Sequence, residues 1–458
     1  MLYVGIFLTF ILGLAFVHCL SADFSPVEKI GLAFPLGIGL LVVLMLLADQ
    51  VGIPLRPMPL LLGEALLLTT LLLFLYGRRR NRPKEISLPS LKNTNLVWLL
   101  FIIAVVCLEY MNFSKCLYFP PSDRDSLAGF ETIGYIVAQE HTLKGLSIFN
   151  VAYMPGIHSA ASYITYAPLV QLSYAYVYAL GAETSKIIPA LMYLFFLIAF
   201  YAATSRAAGK TGAAIATFFV LLTPEMLAFS SLSMTNVIHA IFASLGVIYM
   251  ALWFREREKK DLILCGALLG INTLCRTEGI VFTAAVLLLL FIDAFRRKGY
   301  KGFLQSALLA LVPLLGWTLY TKINGLEAES IAITHPFLDT EKAATILTHL
   351  WQLYTNTTLY GWSFAVFLLA FLVNLWFLIQ RKDSLSVLLA IALSSVFYLF
   401  IIYQIDYKWD SIENVLLYSV KRFLFCFIPM VWYFSVSNHA SALLFRKLEQ
   451  FLRIDQAR

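Results

Sequence analysis

Three short polar stretches interrupt an otherwise apolar chain, and each carries residue types that can do chemistry. The first reads Tyr118-Phe119-Pro120-Pro121-Ser122-Asp123-Arg124-Asp125-Ser126. Two carboxylates at i and i+2 can supply a general base that removes the proton of an attacking hydroxyl. If the group displaced is a phosphate, it leaves as an anion and needs no general acid, so one base and one cationic phosphate site suffice. Either Asp125 or Asp123 fits the base, with Arg124 between them. Ser122 or Asp123 could equally cap a helix that starts near Ser126. The second stretch, Asn272-Thr273-Leu274-Cys275-Arg276-Thr277-Glu278-Gly279, breaks an apolar run, and charge at membrane depth marks a pathway or a site. Arg276 with Glu278 could hold a phosphate and orient a substrate group, or simply pair with each other in a turn. The third contains Lys421 and Arg422, a point charge and a bidentate fork suited to a phosphate, although both could instead snorkel to lipid headgroups.

These residues need elements to hold them, and the composition says which kind. The chain has 458 residues, 60% hydrophobic and 13% charged, with a mean hydropathy of +0.80. A soluble domain carries about 25% charged residues, so this chain has too little polar surface for water. Continuous apolar runs recur that are long enough to cross about 30 Å of hydrocarbon. They lack the alternating polarity of barrel strands, so the spans are helices that satisfy their own backbone. The expected fold is an all-α polytopic membrane protein of about 13 transmembrane helices. Spans are predicted at 2–20, 29–48, 58–77, 95–112, 187–205, 211–229, 237–254, 262–275, 280–295, 303–321, 361–380, 385–403 and 423–440. The chain opens Met1-Leu2-Tyr3-Val4 without a positive n-region, so residues 2–20 read as a retained span rather than a cleaved signal.

Basic residues fix the orientation. With Arg78–Lys84 inside, counting alternately also puts Arg206/Lys210, Arg255–Lys260, Arg296–Lys301, Arg381/Lys382 and Arg446/Lys447 inside. The net charge of +7 then belongs to cytoplasmic loops. Nucleic acid is not expected as a partner, because no basic stripe with interleaved aromatics appears. Residues 159–180 are apolar enough to span, but a crossing there would turn every later basic cluster outward. Their tyrosines, 163, 166, 174, 176 and 178, suit the headgroup level, so they read as an interfacial helix on the outer face. External loops are expected at about 113–186, 322–360 and 404–422. The chain divides into residues 1–90, three helices and a basic linker; 91–445, the working module; and 446–458, a cytoplasmic tail. The six cysteines show no metal spacing and read as small buried hydrophobes. The stretch 229–236 holds no acidic residue, and His239 is expected to pack against a polar neighbour.

The layout resembles the GT-C superfamily of membrane glycosyltransferases, which includes protein O-mannosyltransferases and bacterial enzymes that modify lipids, glycans and proteins, aminoarabinose transferases among them. A first core span at 95–112 is followed by an acidic loop opening, Asp123/Asp125. Then comes Tyr166-Ala167-Pro168-Leu169, similar to a Tyr-Pro-Pro-Leu start, and Gly181 with Glu183 and Lys186. Arg276-Thr277-Glu278-Gly279 resembles a short polar motif of bacterial members, and Lys421-Arg422 before Pro429 resembles their late basic residue. The acidic motif is Asp-Arg-Asp rather than Asp-Glu, and Ala167-Pro168 replaces a double proline. The resemblance implies an inverting transfer of a sugar from a polyprenyl-phosphate donor to a hydroxyl of a glycan, lipid or protein, in a bacterial inner membrane with the site facing the extracytoplasmic side. Asp125 or Asp123 would be catalytic. Arg124, Tyr166, Arg276, Glu278, Lys421 and Arg422 would bind substrate, and the tyrosine-rich stretch 163–178 would form part of a lid. No cofactor is implied, since Asn236 stands where metal-dependent members carry an acid. Two other readings are a polysaccharide polymerase or ligase, relying on external arginines and histidines, and a lipid-linked sugar transporter, which calls for charges in mid-span and pseudo-symmetric halves.

Overall fold

A computed structural model describes residues 1–79, 95–149, 166–326, 332–334, 339–380, 385–407 and 411–454. Among these, ten helices are long and apolar enough to cross a membrane. One of them, Ile187–Leu222, is really two. Its backbone breaks at Gly209 (φ 76°, ψ 173°), a conformation that only glycine adopts without strain. The Lys186 ammonium, at the start of this helix, donates to the Ser231 carbonyl just beyond its end, so the chain goes down and comes back. Two shorter helices also connect the two ends of the bundle or pack within it. Lys259–Thr273 runs from Asp261, paired with Arg206, to Asn272, bonded to His239 at 2.7 Å. Ser363–Ile379 is the other. With the doubled helix these make thirteen segments beside the about 13 spans expected from the sequence, and ten of the described helices meet the length and hydropathy of a crossing.

Several helix starts are written locally. Ser25 accepts from the Glu28 N–H at 3.2 Å with Pro26 at the first position, Asn95 accepts from Trp98 N–H at 2.7 Å, and Asp339 accepts from Glu341 and Lys342 N–H, both at 3.0 Å. Between helices, small residues set the spacing, because lipid offers no hydrophobic drive for association. Leu2–Leu20 and Pro26–Gln50 touch backbone to backbone: a Cβ on Gly13 would lie 1.8 Å from the Ala33 carbonyl oxygen, and one on Gly37 would lie 2.1 Å from that of Thr9.

The bundle has two polar rims. At the basic rim, the Arg206 guanidinium binds Glu28 (3.0 Å), Glu256 (2.5 Å) and Asp261 (2.6 Å), and the Tyr249 hydroxyl donates to Glu28 at 2.7 Å. This ties together helix ends at positions 28, 206, 256 and 261. At the opposite rim the connections are long. Ala332–Thr334 pairs antiparallel with Ile405–Tyr407, Ala332 opposite Tyr407. The sequence did not announce these three-residue strands, and they join the second long connection to the third.

Two expectations are corrected, and two of the expected external loops contain helix. The Leu169–Ala179 helix does not lie open on the surface. It is inserted among other helices, with Tyr174 and Tyr176 fully buried, because its hydroxyls have buried carboxylates to meet. Tyr176 donates to Glu64 at 2.5 Å and Tyr178 to Glu131 at 2.6 Å; Tyr163 lies outside the described residues. The predicted span 211–229 stops at Leu222, since Pro224 restarts the chain as a separate short helix, Pro224–Ser230. The expected loop 404–422 is helical from Ile412, and Lys421 and Arg422 lie on a helical run that continues to Ser437. The loop 322–360 contains the helix Thr340–Thr355.

The first three helices are bonded to the rest. Glu64 accepts from Thr9 (2.7 Å) as well as from Tyr176. Asp49 accepts from Thr142 (2.7 Å) and the Leu143 N–H (3.3 Å), and also from Tyr320. The Lys144 ammonium donates to the Asp49 carbonyl at 2.6 Å.

Candidate active site

The rim opposite Arg206 gathers residues from five separated stretches. Asp123 is the cap: its Oδ1 accepts from the Ser126 N–H at 2.7 Å, which starts a wide π turn, Ser126–Phe130, that runs into Glu131–Glu140. Its Oδ2 is buried without a hydrogen-bond partner among the described residues. Burial pushes the Asp123 carboxyl above the usual carboxylate range; the Ser126 N–H pulls it down and nearby Asp125 pushes it up again. Asp125, two residues on, points elsewhere and forms an ion pair with Arg422. Arg124 is exposed.

Arg422 and Lys421 follow a second π turn, Leu416–Val420. Wide turns of this kind often mark functional positions, and here one flanks each side of the Asp125–Arg422 pair. The Lys421 ammonium lies 3.2 Å from Glu225. Both cations stand over the Phe229 ring, at 5.8 and 5.9 Å from its centroid. The Tyr360 hydroxyl donates to the Lys421 carbonyl at 2.7 Å, and the next residue, Phe423, stacks on Tyr398 at 3.5 Å between centroids. The span at this point is therefore clamped on several sides.

Arg276 and Glu278 occupy the tight turn between Lys259–Thr273 and Gly279–Arg297. The guanidinium is bidentate to Glu278, at 2.7 and 3.2 Å, and reaches Thr235 at 3.3 Å and Asn236. Burial alone would raise the Glu278 carboxyl, but Arg276 outweighs it and holds it at about 2. The Leu169 N–H donates to the Leu274 carbonyl at 2.8 Å, which fixes the start of the tyrosine-rich helix against this turn. Tyr166 stands edge-on to Phe130 (5.6 Å), within electrostatic reach of Arg276, Glu278, Asp125 and Arg422. Burial raises its phenol, with the two arginines opposing.

Asp125, Tyr166, Arg276, Glu278, Lys421 and Arg422 are thus brought onto one rim. Asp123 is beside them with one oxygen engaged in a cap. Three residues were missed by sequence reasoning. Glu225 was counted inside a span, and Thr223-Pro224 was the signal that the span had ended. Phe229 stood where a span meets the external stretch 229–236 and was given no role. Lys186 was noted only as part of a motif; it is buried and within electrostatic reach of Asp123. The cations Arg276, Lys421 and Arg422 each have their own carboxylate, Glu278, Glu225 and Asp125, so an incoming anion meets pairs it must open, not bare charge. Among the described residues no three His, Cys, Asp or Glu converge as metal ligands.

Residues 167–319 match the dolichyl-phosphate-mannose-protein mannosyltransferase family. The matched segment holds Arg276 and Glu278, together with Lys186, Glu225 and Asn236; Asp123, Asp125, Tyr166, Lys421 and Arg422 lie outside it. Comparison with curated proteins and with solved structures gives no match. This match, over about a third of the chain, and the polytopic all-α fold support a membrane glycosyltransferase of the GT-C type.

Proposed function

We propose that the protein moves a sugar from a polyprenyl-phosphate donor to a hydroxyl of a glycan, lipid or protein, at the rim formed by Asp125, Arg276, Lys421 and Arg422, and that this rim faces the extracytoplasmic side, because basic residues gather at the other end. The observation that carries the reading is the Asp125–Arg422 pair: a candidate base and a candidate phosphate ligand, 297 residues apart in the chain, are in contact.

The pairing suggests how the two roles are coupled. With the site empty, Arg422 neutralises Asp125. A donor phosphate offers the guanidinium a second bidentate partner, and Lys421 and Arg276 add charge from either side. As Arg422 turns to the phosphate, Asp125 loses this counter-charge and becomes a better proton acceptor. The acceptor oxygen then attacks the anomeric carbon as its O–H bond breaks toward Asp125. The bond from that carbon to the phosphate oxygen breaks with its electron pair, and polyprenyl phosphate leaves as an anion stabilised by the cations already on it. A single displacement inverts the anomeric centre. Glu278 and Glu225 orient Arg276 and Lys421, and Asp123 holds the turn on which Asp125 sits.

The reading is tested by transfer from radiolabelled polyprenyl-phosphate sugars, using purified protein in lipid, with the product anomer assigned by NMR. Wild type should give the inverted anomer, and Arg276→Ala should raise the donor KM more than it lowers kcat. Retention of configuration would overturn the single displacement, and an unchanged donor KM would remove Arg276 from the phosphate site.

A further inference from the structure

Beneath the rim, one buried polar side chain has no part in the chemistry assigned above. His239 lies on the second turn of Thr235–Glu256 and is 2% exposed. Its ring meets Phe282 at 5.7 Å and Phe423 at 6.4 Å between centroids, and those two phenyl rings stack on each other at 5.2 Å. An apolar side chain would fill such a place without loss. Histidine carries a cost there, because its Nε2 is buried with no hydrogen-bond partner among the described residues. Sequences break local rules of this kind chiefly at positions that serve function.

What the ring gains is Asn272. Nδ1 and Asn272 Oδ1 are 2.7 Å apart, and a carboxamide oxygen only accepts, so the imidazole donates from Nδ1. Asn272 is the residue on which the Arg276 turn closes. Its carbonyl accepts from the Cys275 N–H at 3.0 Å and the Arg276 N–H at 3.5 Å. A Cβ on Gly279 would lie 2.5 Å from the same carbonyl oxygen, so the next helix starts against it only because residue 279 is glycine. The guanidinium of Arg276 reaches Thr235 and Asn236. Positions 235, 236 and 239 share one face of their helix. That face therefore grips the turn twice, at the base of Arg276 and at its head. The same His239 ring meets Phe423, the residue after Arg422.

We propose that His239 is a positioning residue for donor binding: through Asn272 it sets where Arg276 stands relative to Lys421 and Arg422, and so the spacing of the cations that receive the phosphate. The inference rests on the phosphate-site reading of Arg276. Thr235, Asn236 and Glu278 direct the guanidinium itself. His239 instead fixes the backbone from which the side chain extends. Without it the guanidinium keeps its partners but loses its place, and a small misplacement of a binding group is enough to weaken its action on a substrate.

The test is the donor KM and kcat of the purified full-length protein in lipid, with a radiolabelled polyprenyl-phosphate sugar, for His239→Phe, Arg276→Ala and the two combined. Phenylalanine keeps a ring against Phe282 and Phe423 and removes the Nδ1 donor. His239→Phe should raise the donor KM about tenfold, the ratio a single hydrogen bond supports, with kcat little changed. In the Arg276→Ala background the same substitution should raise KM no further, because the group it positions is gone. A merely structural histidine would lower the thermal melt and add its effect equally in both backgrounds. Asn272→Leu should reproduce the rise in KM and add nothing to His239→Phe, which keeps the test valid if either variant fails to fold. An unchanged KM in folded His239→Phe, or equal rises with and without Arg276, would overturn the inference and leave Arg276 at the phosphate. An unchanged KM in Arg276→Ala would remove Arg276 from the phosphate site and take this inference with it.

Discussion

The two rims are built from the same residue types and differ in how the charges are shared. At the basic rim one arginine, Arg206, serves three carboxylates, and two of these, Glu28 and Asp261, are almost wholly buried. No anion can take Arg206 without stranding acids in the interior. At the opposite rim Arg276, Lys421 and Arg422 have one carboxylate each, and the side chains of the Asp125–Arg422 pair are 24% and 26% exposed. Such pairs can be exchanged. A buried charge cluster ties a fold together, because breaking it leaves uncompensated charge. A row of one-to-one, half-open pairs can hand a cation to a substrate and recover it afterwards. On the proposed function, this difference separates a structural cluster from a catalytic one where residue type alone does not.

The comparison is broken most easily at Arg206. Arg206→Ala should cost about 3–5 kcal/mol, read as a large loss of thermal stability and folded yield in detergent. If this variant is as stable as wild type, the basic rim is not a structural lock. At the other rim the effect should fall on turnover instead. Asp125→Asn should lower kcat by about 10²–10⁴-fold with the melting temperature nearly unchanged. Arg422→Ala should be intermediate: weaker donor binding and a smaller loss of kcat, since Asp125 then lacks the Arg422 counter-charge throughout. Dependence of donor binding on salt should shrink in this variant.

Glu278 sharpens the contrast by pH. Its carboxyl lies at about 2 against an ordinary 4.5. The stability this pair contributes is therefore fully present above about pH 4.5 and is lost as pH falls through about 2. Donor binding measured from pH 5 to 9 should show no titration from this turn, and Glu278→Gln should leave that flat profile in place while loosening Arg276 and raising the donor KM. The smallest effect is expected at Asp123. Asparagine caps a helix as well as aspartate, so Asp123→Asn should keep both fold and activity, whereas Asp123→Ala should lose about 1 kcal/mol of stability. A loss of turnover in Asp123→Asn as deep as in Asp125→Asn would make Asp123 more than a cap.

Much of this was legible in the sequence because charge in an apolar chain is conspicuous. Asp125, Arg276 and Lys421–Arg422 stood out because membrane helices do not carry such groups without cause. What the sequence hid was pairing. Nothing local links Asp125 to Arg422, and Glu225 disappeared into an apolar run that Pro224 in fact ends. Tyrosine content pointed the Leu169–Ala179 helix to the headgroups, yet Tyr176 and Tyr178 meet Glu64 and Glu131 in the interior. Composition reports that a hydroxyl needs a partner, not whether water or a distant carboxylate supplies it. The strands Ala332–Thr334 and Ile405–Tyr407 are too short for any period to show.

The most direct measurement is sugar transfer from a polyprenyl-phosphate donor by wild type and by Asp125→Asn, each shown to be folded by its thermal melt. Transfer by wild type and its loss in Asp125→Asn, at equal melting temperature, is the expected result. Full activity in folded Asp125→Asn, or no turnover of any polyprenyl-phosphate sugar by wild type, would contradict the assignment of this rim as the catalytic site.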